Sequence, residues 1–279
     1  MKRTFIYIGF IVLGSFAALS GCRVGHTDKP VWVDVNIADL APPDKPALRL
    51  LKTIDFNILV YEIPIDHITQ IRELWRGINT QSIQFKNAFA FHSNAFRIGL
   101  TQRLNWVQGT LESAGAILAH EHKIIFGSVP ENDLDIRMID HHQSLHFCNY
   151  ERRYQYINIA PSKLVLRLKC GPIPNMPETC QLLGYPVITS NISYSIPELA
   201  ERARARDIAF NTTAFKCYLR IGDILVLGPE EYYGDESSLG GLFFKTPQGT
   251  LFLEDPQGDQ PQQKPSLRVY VMVCTSIQL

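Results

Sequence analysis

The sequence predicts an α+β protein, mostly antiparallel sheet with a few amphipathic helices, and three observations carry that prediction. Ile54, Phe56, Ile58 and Val60 alternate with Asp55, Asn57, Leu59 and Tyr61, and a period of two is the mark of a strand. Leu164, Leu166 and Leu168 alternate with Lys163, Val165, Arg167 and Lys169. That pattern gives one apolar face and one solvated face, as antiparallel sheets have. Ile68, Ile71, Leu74, Trp75 and Ile78 recur instead at the spacing of a helical stripe. The chain has 279 residues and is 46% hydrophobic, enough to bury a full core as one large or two modest domains.

Taken in order, Ile54–Tyr61 is a strand that Pro64 ends, and Asp66 is placed to cap the helix that follows. Gln84–Phe91 returns to strand character, with Phe85, Phe89 and Phe91 as anchors. A βαββ-like module over residues 50–100 is therefore expected, ahead of a β-rich domain over 101–279. Leu104, Val107, Leu111 and Ala114 mark an amphipathic helix. Strands follow at 122–126, 134–139, 155–159 and 164–170. A proline-rich loop, Gly171–Pro177, interrupts the sheet. Ser195, Ile196 and Pro197 open a short helix, with proline at a position that needs no amide donor. Two strands flank the turn at Ile221-Gly222-Asp223. A hairpin is expected at Gln248-Gly249, and Asp255–Pro265 is polar. Leu267–Ile277 is almost continuously apolar, so it should be buried on both faces. There is no internal repeat.

The first residues carry a different signal. Lys2 and Arg3 precede an apolar run, Phe5–Ala18, and then Leu19-Ser20-Gly21-Cys22. A basic start, a short apolar stretch and small residues form a secretory signal, and the run falls short of the roughly 20 residues a membrane span needs. Leu19-Ser20-Gly21-Cys22 resembles the lipobox of bacterial lipoproteins. The resemblance implies cleavage before Cys22, a diacylglyceryl group on its thiol and an acylated amino terminus such as palmitate supplies. Residues 1–21 would be the signal peptide and 22–49 a tether stiffened by Pro30, Pro42, Pro43 and Pro46. Arg23 follows the cysteine, where an inner-membrane retention signal would carry aspartate. The expected location is the outer membrane, facing the periplasm, with the membrane itself as one partner.

Charge excludes one class of partner. Of 27 Lys and Arg, cleavage removes Lys2 and Arg3, leaving about 25 against 27 Asp and Glu. A nucleic-acid binder shows a basic stripe, whereas Arg202, Arg204 and Arg206 are the only dense basic cluster, so no nucleic-acid partner is expected. Five cysteines follow Cys22: Cys148, Cys170, Cys180, Cys217 and Cys274. An odd number leaves a free thiol within one chain. Cys170 and Cys180, either side of the proline-rich loop, are the one candidate disulfide, against the alternative that all five are small buried hydrophobes.

Candidate chemistry is sparse. His120, His122, His141, His142 and His146 lie close in sequence with Glu121 and Asp140. Imidazoles and carboxylates bind zinc or iron, and residues i and i+2 share a strand face, so His120, His122, His141 and His142 are the candidate metal ligands of a hydrolase. Against them stand Lys123 and Arg137 and the absence of a helical H-E-x-x-H pattern. Asp140-His141-His142 resembles the motif of the DHH phosphoesterases, whose further aspartates are not matched here. There is no G-x-S-x-G, S-x-x-K or Walker loop. Gly240-Gly241 lacks the helix opening of a phosphate loop. Glu230-Glu231 and Asp235-Glu236 read as solvated loop charges. No motif implies a cofactor.

One resemblance spans residues 104–277. The helix end Leu111–Ala116, the strand Gly222–Gly228, the segment Ser238-Leu239-Gly240-Gly241-Leu242-Phe243 and the strand Leu267–Val271 resemble, in that order, the core domain of bacterial secretins. This implies a ring-forming component of an outer-membrane export or pilus system. Pro229–Tyr233 departs from it, standing where glycine is expected. The sequence as a whole therefore points to a lipid-anchored envelope protein, non-enzymatic, working through other envelope proteins or its own copies. Trp75, Trp106, Tyr232 and Tyr233 are its candidate interface anchors, because such rings offer large contact area with a polar edge.

Overall fold

The computed structural model describes residues 52–192, 196–230, 235–246, 252–253, 262–263 and 265–278. The expected signal peptide, the tether, Tyr232, Tyr233 and Gln248-Gly249 lie outside them. The chain opens with β1 (Thr53–Pro64), a 3-10 helix (Ile65–Ile71) and α1 (Arg72–Gly77). β2 (Gln84–Phe85), α2 (Ala88–Ser93), β3 (Phe96–Thr101) and α3 (Leu104–Ser113) come next. Then come β4 (Ile117–Phe126), β5 (Glu131–Ile139), β6 (Gln143–Cys148), β7 (Tyr154–Ile159), β8 (Ser162–Ile173) and β9 (Met176–Thr189). The remainder is α4 (Pro197–Arg204), β10 (Ile208–Ala209), β11 (Phe215–Arg220), β12 (Ile224–Pro229), α5 (Leu239–Phe244), β13 (Lys245–Thr246), β14 (Phe252–Leu253), β15 (Gln262–Gln263) and β16 (Ser266–Gln278).

Two antiparallel sheets form a sandwich. The first runs β3-β12-β16-β1-β4 and the second β2-β11-β9-β8-β5, with β13 and β10 joined to β16 and β9. Ile54, Phe56, Ile58 and Val60 of β1 meet Leu164, Leu166 and Leu168 of β8 in the space between them. The other face of the first sheet is covered by helix. Leu59, Tyr61 and Ile63 of β1 and Val269 and Val271 of β16 pack there on Ile71, Leu74, Trp75, Val107 and Leu111. β16 lies between β1 and β12 and is apolar on both sides, Tyr270 and Met272 facing one core and Val269 and Val271 the other. This is the arrangement its unbroken apolar run predicts.

The α+β class and the antiparallel pairing hold, but the boundary near residue 100 does not. β1 pairs along nearly its whole length with the last strand, β16, and on its other side with β4. Residues 51–279 make one compact unit. A module that ends at residue 100 would leave β1 without both partners and its buried face open.

Three local expectations also change. Gln84–Phe91 gives a two-residue strand and then a helix, because Asn87 accepts the Ala90 amide at 3.0 Å and caps α2. Asp66 is not the cap, since the 3-10 helix already starts at Ile65 after Pro64. The charged face of β8 is covered: Val165 and Arg167 are buried. Arg167 is held by Asp133 at 2.8 and 2.9 Å and by Asp207 at 2.8 Å. Its guanidinium is pushed further above the usual range, chiefly by the Asp133 hydrogen bond. β5 and the Asp207 turn thus supply counter-charges where solvent was expected.

Gly240-Gly241 opens α5 after all. Ser238 caps it by accepting the Gly241 amide at 3.0 Å. The glycines serve close packing, since a Cβ at Gly240 would lie 2.2 Å from the Asn94 carbonyl oxygen. Every residue of α5 is buried. Among the described residues no helix is long and apolar enough to cross a membrane.

Candidate functional site

A cleft of about 560 Å³ opens where the end of α2, the β6–β7 ribbon, the end of β12 and the start of α5 meet. Packing explains why these segments converge. Phe91 of α2 stacks on Phe96 and Phe215, and Phe243 and Phe244 of α5 stack on Phe96. Asn94, buried at the end of α2, donates to the Cys148 carbonyl and accepts the Cys148 amide, fixing the ribbon to the helix.

Two histidine–carboxylate pairs line this cleft. His92 Nδ1 lies 2.9 Å from Glu230 Oε2, with Arg97 3.9 Å from the same carboxylate. His146 Nε2 lies 3.1 Å from Asp235 Oδ2. The hydrogen bond to His92 holds the Glu230 carboxyl below its ordinary range. Ser237 does the same for Asp235, donating its hydroxyl at 2.6 Å and its amide at 2.9 Å to Oδ1. Both carboxylates are therefore ionised at neutral pH.

Serine, histidine and aspartate meet here without forming a nucleophile. A nucleophilic serine gives its proton to an imidazole that a carboxylate orients from the far side. Ser237 Oγ is 3.3 Å from His146 Nδ1 but closer to the Asp235 carboxylate, to which its hydroxyl donates at 2.6 Å. The thiols of Cys180 and Cys217 offer no alternative. Hydrogen bonding with Cys170 pushes the Cys180 thiol up to about 12, and burial raises that of Cys217. The reactive form is the thiolate.

The structure separates the residues singled out from sequence. His120 and His122 do share a face of β4, with rings 6.1 Å apart, but His141 and His142 sit exposed in the turn before β6. Among the described residues no three histidine, cysteine, aspartate or glutamate side chains come together as a metal site. Cys170 and Cys180 are both free and buried. Cys170 stands opposite Leu182 and Cys180 opposite Pro172, and the two thiols hydrogen-bond without being joined as a disulfide. Trp75 is buried in the helix-facing core. Trp106 is half-buried against Gly77, where a Cβ would lie 2.2 Å from its ring. Neither is presented as an anchor. Sequence reasoning missed His92 and Ser237; Glu230 and Asp235, read as solvated loop charges, do stay 37% and 47% exposed, but each also has a histidine partner. The partners of His92 and Ser237 lie 138 and 91 residues away in the chain, and no local spacing signals such pairs.

A second surface is the outer edge of β4. Among the described residues no strand pairs with it beyond β1. Leu118 and Ile125 are 49% and 50% exposed on it. A bulge offsets β4 against Val60 and Tyr61, and Asn132 donates to the Ile125 carbonyl at 3.0 Å. No family model matches this chain, and no curated protein or solved structure does either.

Proposed function

We propose that this is a lipid-anchored, non-enzymatic protein of the cell envelope that works by contact, and that it associates with its own copies through β4. The anchor reading rests on Leu19-Ser20-Gly21-Cys22. Three acyl chains would hold firmly, since each buried methylene contributes about 0.8 kcal/mol and one chain alone binds marginally. The contact reading rests on one observation: a ten-residue edge strand with apolar side chains exposed on it. An unpaired edge is a template for another strand.

The strand is complementary to itself. Antiparallel pairing with a second copy about a two-fold axis through His122 sets Glu121 opposite Lys123 twice. The bulge places Leu118 on the same side as Ile125, beside Tyr61 and Asp55, so the copies' apolar ends also meet. Opposite charges and apolar pairs across strands each contribute about 0.2–1 kcal/mol.

The test is the size of the detergent-extracted full chain. The reading expects a dimer that Leu118→Lys with Ile125→Lys converts to a monomer while leaving the thermal melt in place. A second reading, the secretin-related ring, draws support from β3 and β4 standing as the end strands of one sheet among the described residues, with only Asn79 bridging β3 at Leu100, an arrangement that suits head-to-tail closure. A ring of many subunits would favour it, and a monomer for the unaltered chain would remove both.

A further inference from the structure

We infer that the cleft at His146 is a binding site for a neutral sugar chain, which it holds without cleaving. The observations are separate from those at β4. Tyr154 and Tyr156 project from one face of β7, 56% and 74% exposed, and flank the His146 ring at 5.9 and 5.7 Å. A strand that packed both faces would not leave two adjacent tyrosines bare. Here they present flat rings with a polar edge, Tyr154 lining the cleft and Tyr156 beside it across the His146 ring, and the cleft's volume lies in the range of small-molecule sites.

The polar groups choose the ligand. Glu230 and Asp235 are ionised acceptors, and an anion entering the cleft would meet both. A cation would have to displace Arg97, His92 or His146, which already neighbour those carboxylates. A purely apolar ligand would cut off the water that now reaches Glu230 and Asp235, 37% and 47% exposed, and leave their remaining lone pairs without donors. A pyranose chain has a C–H face for the tyrosine rings and hydroxyls that donate to carboxylates and accept from imidazole and phenol. Glycoside cleavage also uses two carboxylates across a groove, but one must keep a proton to release the leaving group. Here Glu230 is already bonded to His92 and Asp235 already accepts the hydroxyl and amide of Ser237, contacts that suit the ionised form of each, so neither supplies that proton and the sugar leaves intact.

The experiment is calorimetric titration of the detergent-solubilised full chain with maltotriose, with the trimer of N-acetylglucosamine, and with spermidine as a cation. We expect at least one trisaccharide to bind and to be recovered unaltered. Tyr156→Ala, at an exposed position, should weaken it about tenfold with the melting temperature unchanged, and Asp235→Asn should weaken it too. Binding of spermidine alone, no trisaccharide binding up to about 10 mM, equal affinity in Tyr156→Ala, or appearance of cleaved sugar would each overturn the inference.

Discussion

Replacing Arg167 by methionine tests the reading of the second sheet most severely, because it removes a charge while keeping much of the side-chain stem. Arg167 is 7% exposed as a residue and sits against three carboxylates, Asp133, Asp207 and Glu131. Asp133 and Glu131 keep some contact with water. Asp207 does not: its side chain is 5% exposed, one oxygen bonds Arg167, and the other has no hydrogen-bond partner among the described residues. Arg167→Met therefore strands a buried carboxylate. Removing one partner of a buried pair costs about 3–5 kcal/mol. For a body of this size each kcal/mol moves the melting temperature by roughly 2–4 °C, so a fall on the order of 10 °C is expected. Urea unfolding followed by circular dichroism at neutral pH should show a lower midpoint with an unchanged slope. Arg167→Met with Asp207→Asn should recover part of the loss, because the stranded charge is gone. A single-variant deficit under about 1 kcal/mol, the range of exposed pairs, would refute the reasoning and return β8 to a solvated face.

Other outcomes follow from the same geometry. Gly184→Ala would place a Cβ 2.4 Å from Phe215 Cζ and 2.8 Å from Cε1 in the centre of the sandwich, so a loss of about 1–3 kcal/mol is expected by the same denaturation assay. Glu230 and Asp235 have folded pKa values below their unfolded ones. Their contribution is therefore complete above the unfolded range near pH 4 and is lost as pH falls through the folded values. The melting temperature should hold from pH 7 to about 5 and drop below about 4, and Glu230→Gln with Asp235→Asn should shallow that drop. Cys170, Cys180, Cys217 and Cys274 are buried and free, so a thiol reagent should label them only after unfolding. Labelling of the native protein at Cys180 would contradict the packing. His120→Ala with His122→Ala should leave zinc content and thermal stability unchanged. A zinc ion bound tightly to the unaltered protein and lost in the variant would show a site that the geometry does not assemble.

Much of the fold was legible where burial follows a period. The strands at 54–61 and 164–170 and the helix at 104–113 show their core faces in the sequence, because side chains alternate every two residues in one and recur every three to four in the other. The final strand declared itself by being apolar throughout, and a strand between two others in a sheet covered on both sides must be. What failed was what distance along the chain hides. Pairing of β1 with β16 joins the two ends of the described body, so a boundary drawn on local pattern near residue 100 had no means of seeing it. Arg167 looked solvated because its counter-charges come from β5 and from Asp207, on different elements. The cleft was hidden in the same way, for His92 and Glu230 are near each other only once α2 and β12 have packed. The local histidine spacing pointed instead to a metal group that strand and turn geometry keeps apart.

The proposed envelope role depends on a lipid at Cys22, and one measurement tests that directly. The full chain is expressed in a bacterial host with a labelled fatty acid, beside Cys22→Ala. Label is expected on the unaltered chain alone, with the variant retaining its uncut leader. Equal labelling of both, or of neither, would contradict it.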